Sequence, residues 1–218
     1  MVTDDRGNTD GVVKIRIRVL RPDMLFLRLR FSCDWAQPAR YRRRVQTQIR
    51  GITVDGAPGI RLRTTRSWAA DGKMYIIAHL DEPPRAGSEI SLEMRVKWPQ
   101  RCAPLMVSRQ PDSFVLRFGK PISTARYEVI LPAGREAFCE SAGFEQGDEG
   151  FSLHRSVDDE GRAHYVFEAL DLEPLREAGM KLELKRRGDL ATSSPHQVYS
   201  SRRRHSSPSP SPLLPPAK

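Results

Sequence analysis

Cysteine is scarce and scattered in this chain. Cys33, Cys102 and Cys139 are the three among 218 residues. They are odd in number, far apart and never in CxxC spacing, which argues against a disulfide framework and against a zinc site, and points to a reducing, cytoplasmic setting. Long apolar runs are missing too: none approaches the roughly 20 residues that a membrane helix needs. The opening MVTDDRGNTD is acidic and has no apolar centre, so it does not read as a signal peptide. Enzyme signatures are also lacking, with no GxGxxG, GxxxxGK, HExxH or GxSxG anywhere. Asparagine occurs once, at Asn8, and arginine outnumbers lysine by 29 to 7, as a GC-rich coding sequence would produce. That bias explains arginine over lysine. It does not explain positive over negative.

The net charge of +9 is unevenly spread. Residues 1–66 carry fifteen Lys/Arg against six Asp/Glu, and residues 67–187 carry seventeen against twenty. From Gly188 onward the ratio is four to one. Basic character is therefore concentrated in the first third and at the extreme C-terminal end.

What is present is period-two alternation, the mark of half-buried strands. Val13, Ile15, Ile17 and Val19 alternate with Lys14, Arg16 and Arg18, and Leu25, Leu27, Leu29 and Phe31 alternate with Phe26, Arg28 and Arg30. Arg21-Pro22-Asp23 is expected to turn the chain between these two strands. Further strands are expected at Val45–Ile49, from Ile60 through Thr64, at Met74–Leu80 after an Asp71-Gly72 hairpin signal, and at Ile90–Trp98. The second half repeats the texture at Phe114–Phe118, Arg126–Leu131, Phe151–Val157, His164–Ala169 and Met180–Arg186, with a single helical turn expected around Pro174–Ala178.

An internal echo organises the pattern. YIIAHLDEPPRAGSEISLEMR (75–95) and YVFEALDLEPLREAGMKLELKR (165–186) share an aromatic-led apolar run closing on Leu-Asp, then Glu-Pro, Arg and Ala-Gly, then an alternating strand. Repeats at long period signify a duplicated unit. The reading is an all-β protein of two tandem antiparallel β-sandwiches, immunoglobulin-like, over residues 11–100 and 101–188. One larger sandwich would satisfy the same strand pattern. Residues 1–10 are expected to be disordered, as is the Ser/Pro/Arg-rich tail 189–218, which has almost nothing to bury. Arg202–Arg204, three Ser-Pro steps and the PxxP segment Pro212–Pro215 lie in that tail.

Few residues point to chemistry. Cys33 has no evident histidine partner, and Asp34 beside it would raise its pKa. The acid pairs Glu82/Glu89 and Asp158/Asp159 fall in turns, where solvated carboxylates are ordinary. Matching hydrophobic faces in the hairpin 151–169 brings His154 and His164 to the opposite face, with Glu168 the available third ligand for a metal. Two exposed histidines are the commoner arrangement, and no cofactor or metal is expected.

The basic first third carries the stronger signal. If Val13/Ile15/Ile17 and Leu25/Leu27/Leu29 face inward, then Lys14, Arg16, Arg18, Phe26, Arg28 and Arg30 share one outer face, with Arg42, Arg43 and Arg44 as a basic loop beside it. The expected function is a non-catalytic binding or interaction module that presents a sheet face or inter-domain groove to a protein partner or an acidic polymer. Nucleic-acid binding through the arginine-rich first sheet is the alternative. A hydrolase with a dispersed acidic site ranks third.

Overall fold

A computed structural model describes residues 1–58, 62–70, 72–145 and 147–186. Of these residues 55% are in strands and 4% in helix, so the protein is all-β. In chain order the elements are β1 (Val2–Thr3), β2 (Thr9–Arg18), β3 (Phe26–Phe31), α1 (Ala39–Arg42), β4 (Gln46–Val54), β5 (Ala57–Pro58), β6 (Leu62–Trp68), β7 (Met74–Leu80) and β8 (Glu89–Trp98). Then follow α2 (Ala103–Met106), β9 (Asp112–Arg117), β10 (Ile122–Ile130), β11 (Ala137–Ala142), β12 (Phe151–Val157), β13 (Ala163–Leu172) and β14 (Glu177–Leu184).

The strands form three sheets. One has eight strands in the order β12-β13-β10-β1-β2-β8-β4-β5, and two have three, β3-β7-β6 and β11-β14-β9. With the two-residue β5 set aside, the six strands from β2 to β8 and the six from β9 to β14 are wired identically. In each run the second, fifth and fourth strands pair in that order, and so do the first, sixth and third. Both central strands of each run are therefore its fifth and sixth.

The expected hairpin between β2 and β3 does not form. β2 pairs along its whole length with β8, from Thr9↔Trp98 to Arg18↔Glu89, while β3 pairs with β7, from Phe26↔His79 to Phe31↔Met74. Two amphipathic strands can hide their apolar faces either side by side or by facing each other across a core, and this chain takes the second course. Met74 and Ile76 of β7 meet Met94, Val96 and Trp98 of β8 in one buried cluster, which Val13, Leu29, Phe31, Ile49 and Trp68 border. Trp68 and Trp98 contact edge to face, with ring centroids 5.6 Å apart.

In the second run Phe114, Val129, Tyr165, Phe167, Met180 and Leu182 are fully buried in a larger cluster. The Tyr165 hydroxyl ties its two sheets together, donating to the Ala137 carbonyl (3.0 Å) and accepting from the Ala137 amide (2.6 Å). The sequence echo falls on β7–β8 and β13–β14, the central strands. Residue by residue it holds only in the later strand, where Ile90, Leu92 and Met94 and then Met180, Leu182 and Leu184 all point inward. In the earlier strand a one-residue offset reverses the faces: Tyr75 is half-buried on the outside, whereas Tyr165 is wholly buried.

Residues 1–10, expected to be disordered, are instead part of the large sheet. Val2 pairs antiparallel with Asp10 and parallel with Ile130, and the Met1 ammonium donates to the Glu128 carbonyl at 2.8 Å. Edge backbone groups of β2 and β10 supply partners that the polar sequence alone does not reveal. The expected helical turn at Pro174–Ala178 is a non-helical turn running into β14; the two short helices lie at α1 and α2. No helix among the described residues is long and apolar enough to cross a membrane. Ile60, Asp71 and the tail segments Arg202–Arg204 and Pro212–Pro215 lie outside the described residues.

Tyr165→Phe strands a buried amide and carbonyl at Ala137, at a cost of about 1–3 kcal/mol. Thermal unfolding followed by circular dichroism is expected to show a midpoint several degrees lower. An unchanged midpoint would mean that Ala137 finds other partners.

Candidate functional site

The nine residues singled out from the sequence separate into three groups. Lys14, Arg16 and Arg18 stand on the outer face of β2, where β8 lies alongside. Glu93 is 3.7 Å from Lys14 and Glu89 is 3.4 Å from Arg16, so this basic stripe is largely answered by carboxylates. Arg95 of β8 forms a two-pronged pair with Asp10 on the same sheet. Phe26, Arg28 and Arg30 stand on a different sheet, β3-β7-β6, so the single shared face expected for all six does not exist. The physical reason is the crossing of the chain from one sheet to the other between β2 and β3. Arg42 ends α1 and Arg43 and Arg44 follow it, with the Arg42 guanidinium 5.7 Å from the centre of the Trp68 ring at the end of β6 and Arg43 and Arg44 exposed.

Register defines what surrounds Phe26, Arg28 and Arg30. Reading across β3, β7 and β6, the outward residues form three rows: Phe26–His79–Arg63, Arg28–Ile77–Thr65 and Arg30–Tyr75–Ser67. Rows are about 6.8 Å apart and neighbouring strands about 4.8 Å apart. This grid holds three arginines, two aromatic rings and an imidazole, and no carboxylate. Phe26, the first residue of the edge strand β3, is 54% exposed. The Arg28 guanidinium lies 5.7 Å from the Tyr75 ring centre, and Thr65 Oγ1 shares a hydrogen bond with His79 Nε2 at 3.0 Å. The inward side of the same strands is held by core packing, which fixes the outward set by alternation. Arg63, Thr65, Ser67, Tyr75, Ile77 and His79 are the members that sequence reasoning missed. Their outward parity was legible, but their neighbours were not.

The topologically equivalent face in the second run is β10-β13-β12, and its outward rows are Arg126–Glu168–Ser152, Glu128–Val166–His154 and Ile130–His164–Ser156. Here every basic group meets a carboxylate. Arg126 binds Glu168 at 2.6 Å, His154 approaches Glu168 at 3.8 Å, and His164 sits between Glu128 (2.9 Å) and Asp158 (3.0 Å). Hydrogen bonds that its ring donates to Glu128 and Asp158 raise the His164 pKa, and the His164 and Arg162 partners hold the Asp158 carboxyl well below its ordinary range. His154 and His164 do share a face, but diagonally, and each turns to its own carboxylate. Among the described residues no group of three or more His, Cys, Asp or Glu is arranged to hold a metal.

The remaining chemistry-bearing groups are structurally employed. Burial raises the Cys33 thiol pKa and pushes Cys102 and Cys139 up to about 11, which leaves all three protonated at neutral pH. A shallow depression beside β1 contains Asp4 and Asp10, but Asp4 closes its own turn through the Arg6 and Asn8 amides, and Asp10 binds Arg95. Glu89 of the Glu82/Glu89 pair is engaged with Arg16, and Asp158 of the Asp158/Asp159 pair with His164 and Arg162.

One carboxylate stands apart. Asp112, at the start of β9, is 1% exposed, and neither of its oxygens has a hydrogen-bond partner. The next amide, Ser113, donates to Asp34 Oδ2 at 3.0 Å. Burial pushes the Asp112 pKa up to about 6 despite the nearby Arg101 guanidinium. Its oxygens are sealed from solvent, so it offers no ligand an approach.

No family model, no curated protein and no solved structure matches this chain. The functional reading rests on its own geometry.

Asp112 makes stability pH-dependent in a stated direction. The folded state keeps the proton up to about pH 6, whereas the unfolded chain releases it near the ordinary 3.8. The contribution is therefore complete below pH 4 and is lost as pH rises through 6, amounting to about 3 kcal/mol. Asp112→Asn is expected to gain on wild type between pH 4.5 and 7.5 in urea denaturation. A wild-type-to-variant difference that stays flat over this range overturns the assignment.

Proposed function

We propose that this protein is a non-catalytic binding module of two immunoglobulin-like β-sandwiches in tandem, and that it presents the outer face of β3-β7-β6 to an anionic partner. The repeated wiring supports the tandem reading. Second–fifth–fourth in one sheet and third–sixth in the other is the pairing of B-E-D and C-F in an immunoglobulin-type sandwich, with the first strand on the side usually held by the last. The echo on β7–β8 and β13–β14 then records two copies of one unit.

The observation that carries the binding role is the contrast between equivalent faces. In the second copy Glu128 and Glu168 pair with Arg126, His154 and His164. In the first copy Arg28, Arg30 and Arg63 share the face with no carboxylate among its described residues. Like charges held within one or two strand spacings repel one another unless an anion comes between them. The absence of catalytic geometry at the thiols and carboxylates described above supports binding over chemistry.

The test compares two variants of equal charge. Arg28/Arg30/Arg63→Ala empties the proposed face, and Lys14/Arg16/Arg18→Ala removes three charges from the other sheet. On immobilised heparin, used as a generic polyanion, the first variant is expected to elute at clearly lower salt than wild type and the second close to wild type. Equal shifts for both would reduce the effect to net charge and sink the proposal.

A further inference from the structure

We infer that the occupant of the β3-β7-β6 face is a single-stranded nucleic acid, its bases stacked on Phe26 and its neighbouring rings and its phosphates held by Arg28, Arg30 and Arg63. This rests on the anionic-partner reading above and specifies the partner. Charge alone does not distinguish a nucleic acid from an acidic peptide; the arrangement of planar groups does. Phe26 stands directly opposite His79 in the first row, and Tyr75 occupies the third row under the Arg28 guanidinium. His79 and Tyr75 are each one strand spacing from an arginine, and Phe26 is one row, about 6.8 Å, from Arg28. A base offers a π-face to such a surface and a phosphate beside it, so stacking and ion pairing act together at each nucleotide. An acidic peptide would engage the arginines and leave the 54% exposed Phe26 ring without a partner.

The shape of the surface favours a single strand over a duplex. Duplex readout needs a helix or ribbon that enters a groove, and a broad three-stranded face cannot do so. Bases must be unstacked to lie on aromatic side chains, which only single-stranded segments allow. Arg28 and Arg30 are two residues apart on one strand, about 6.8 Å. They can contact successive phosphates of an extended strand while Arg63 closes the far side across β7. Nothing on the face reads base edges with a matched donor and acceptor set, so the binding is expected to be tolerant of sequence.

Fluorescence anisotropy on the full chain would test this with four probes over a salt series: a labelled oligo-dT, the corresponding duplex, polyphosphate and poly-glutamate, the last two as competitors. The expected result is tightest binding of the oligo-dT, with Phe26→Ala weakening it roughly tenfold while leaving polyphosphate competition unchanged. Arg28→Ala is expected to reduce the log–log salt slope by about 0.7. Lys14→Ala serves as the control, and because every variant keeps Arg202–Arg204, any contribution of the tail cancels. If polyphosphate competes as well as unlabelled oligo-dT and Phe26→Ala is neutral, the nucleic-acid inference falls and the anionic-partner reading stands. Preference for poly-glutamate overturns it in favour of an acidic protein. If no probe binds near physiological salt, both readings fall together.

Discussion

The exposed surface of the β2–β8 run depends on the burial of β7 against β8 across the core. β7 is the middle strand of its sheet and β8 lies between β2 and β4, so each is paired on both sides, its backbone is satisfied and only its faces remain to be placed. Met74, Ile76 and Ala78 on one strand and Ile90, Leu92 and Met94 on the other are essentially removed from water. Burying the Met, Ile and Leu side chains among them is worth about 1.5–3 kcal/mol each. Alternation then leaves no choice for Tyr75, Ile77 and His79, which must face out. The strands that flank β7 inherit their faces from it through register, so the composition of the outer grid follows from the packing of the inner one.

The same packing rule operates in the second run of strands, yet the outer surfaces differ. Exposed ion pairs such as Arg126–Glu168 contribute little to stability, with a typical value below about 1 kcal/mol. Losing them would therefore cost a fold almost nothing, and keeping three unpaired arginines together costs it only slightly. Stability does not account for a face with three cations and no anion. A surface that departs from local charge balance without a gain in the folded state is where function is to be sought. Phe26 adds to the point, since its exposed ring at the start of β3 offers apolar surface that a bound planar group would cover.

The secondary structure was largely legible. Alternation placed most strands within a few residues, including Phe151–Val157 without error, because one apolar face per strand is what sheets require. Pairing was not legible. The short connection Val19–Leu25 looks like a hairpin loop, and local pattern cannot tell a turn within a sheet from a crossing between two. That single ambiguity assigned Lys14, Arg16 and Arg18 to the face of Phe26, Arg28 and Arg30. It also hid Arg63 and Tyr75, which are remote in sequence and adjacent in space. The echo was visible because central strands are the most apolar. Its residue match misled in β7 and β13, where one residue of slip exchanges inside for outside. β1 was missed since Val2-Thr3 has no pattern of its own and becomes a strand only where two edges wait for it.

The location of the grid bears on how it would bind. All nine positions lie on strands, none on a loop, and the middle column belongs to the most buried strand of its sheet. Side chains so anchored lose little backbone freedom on binding, so the entropic cost of association is confined to the arginine rotamers. The arginines are partly restrained beforehand, Arg28 by Tyr75 at one end of the face and Arg42 by Trp68 beyond it. Loop-built sites adapt to a chosen partner and can be selective. A rigid, flat and repetitive array instead rewards a partner that is itself repetitive, with one charge and one planar group per step. A single-stranded polynucleotide has that periodicity, and a folded protein surface does not.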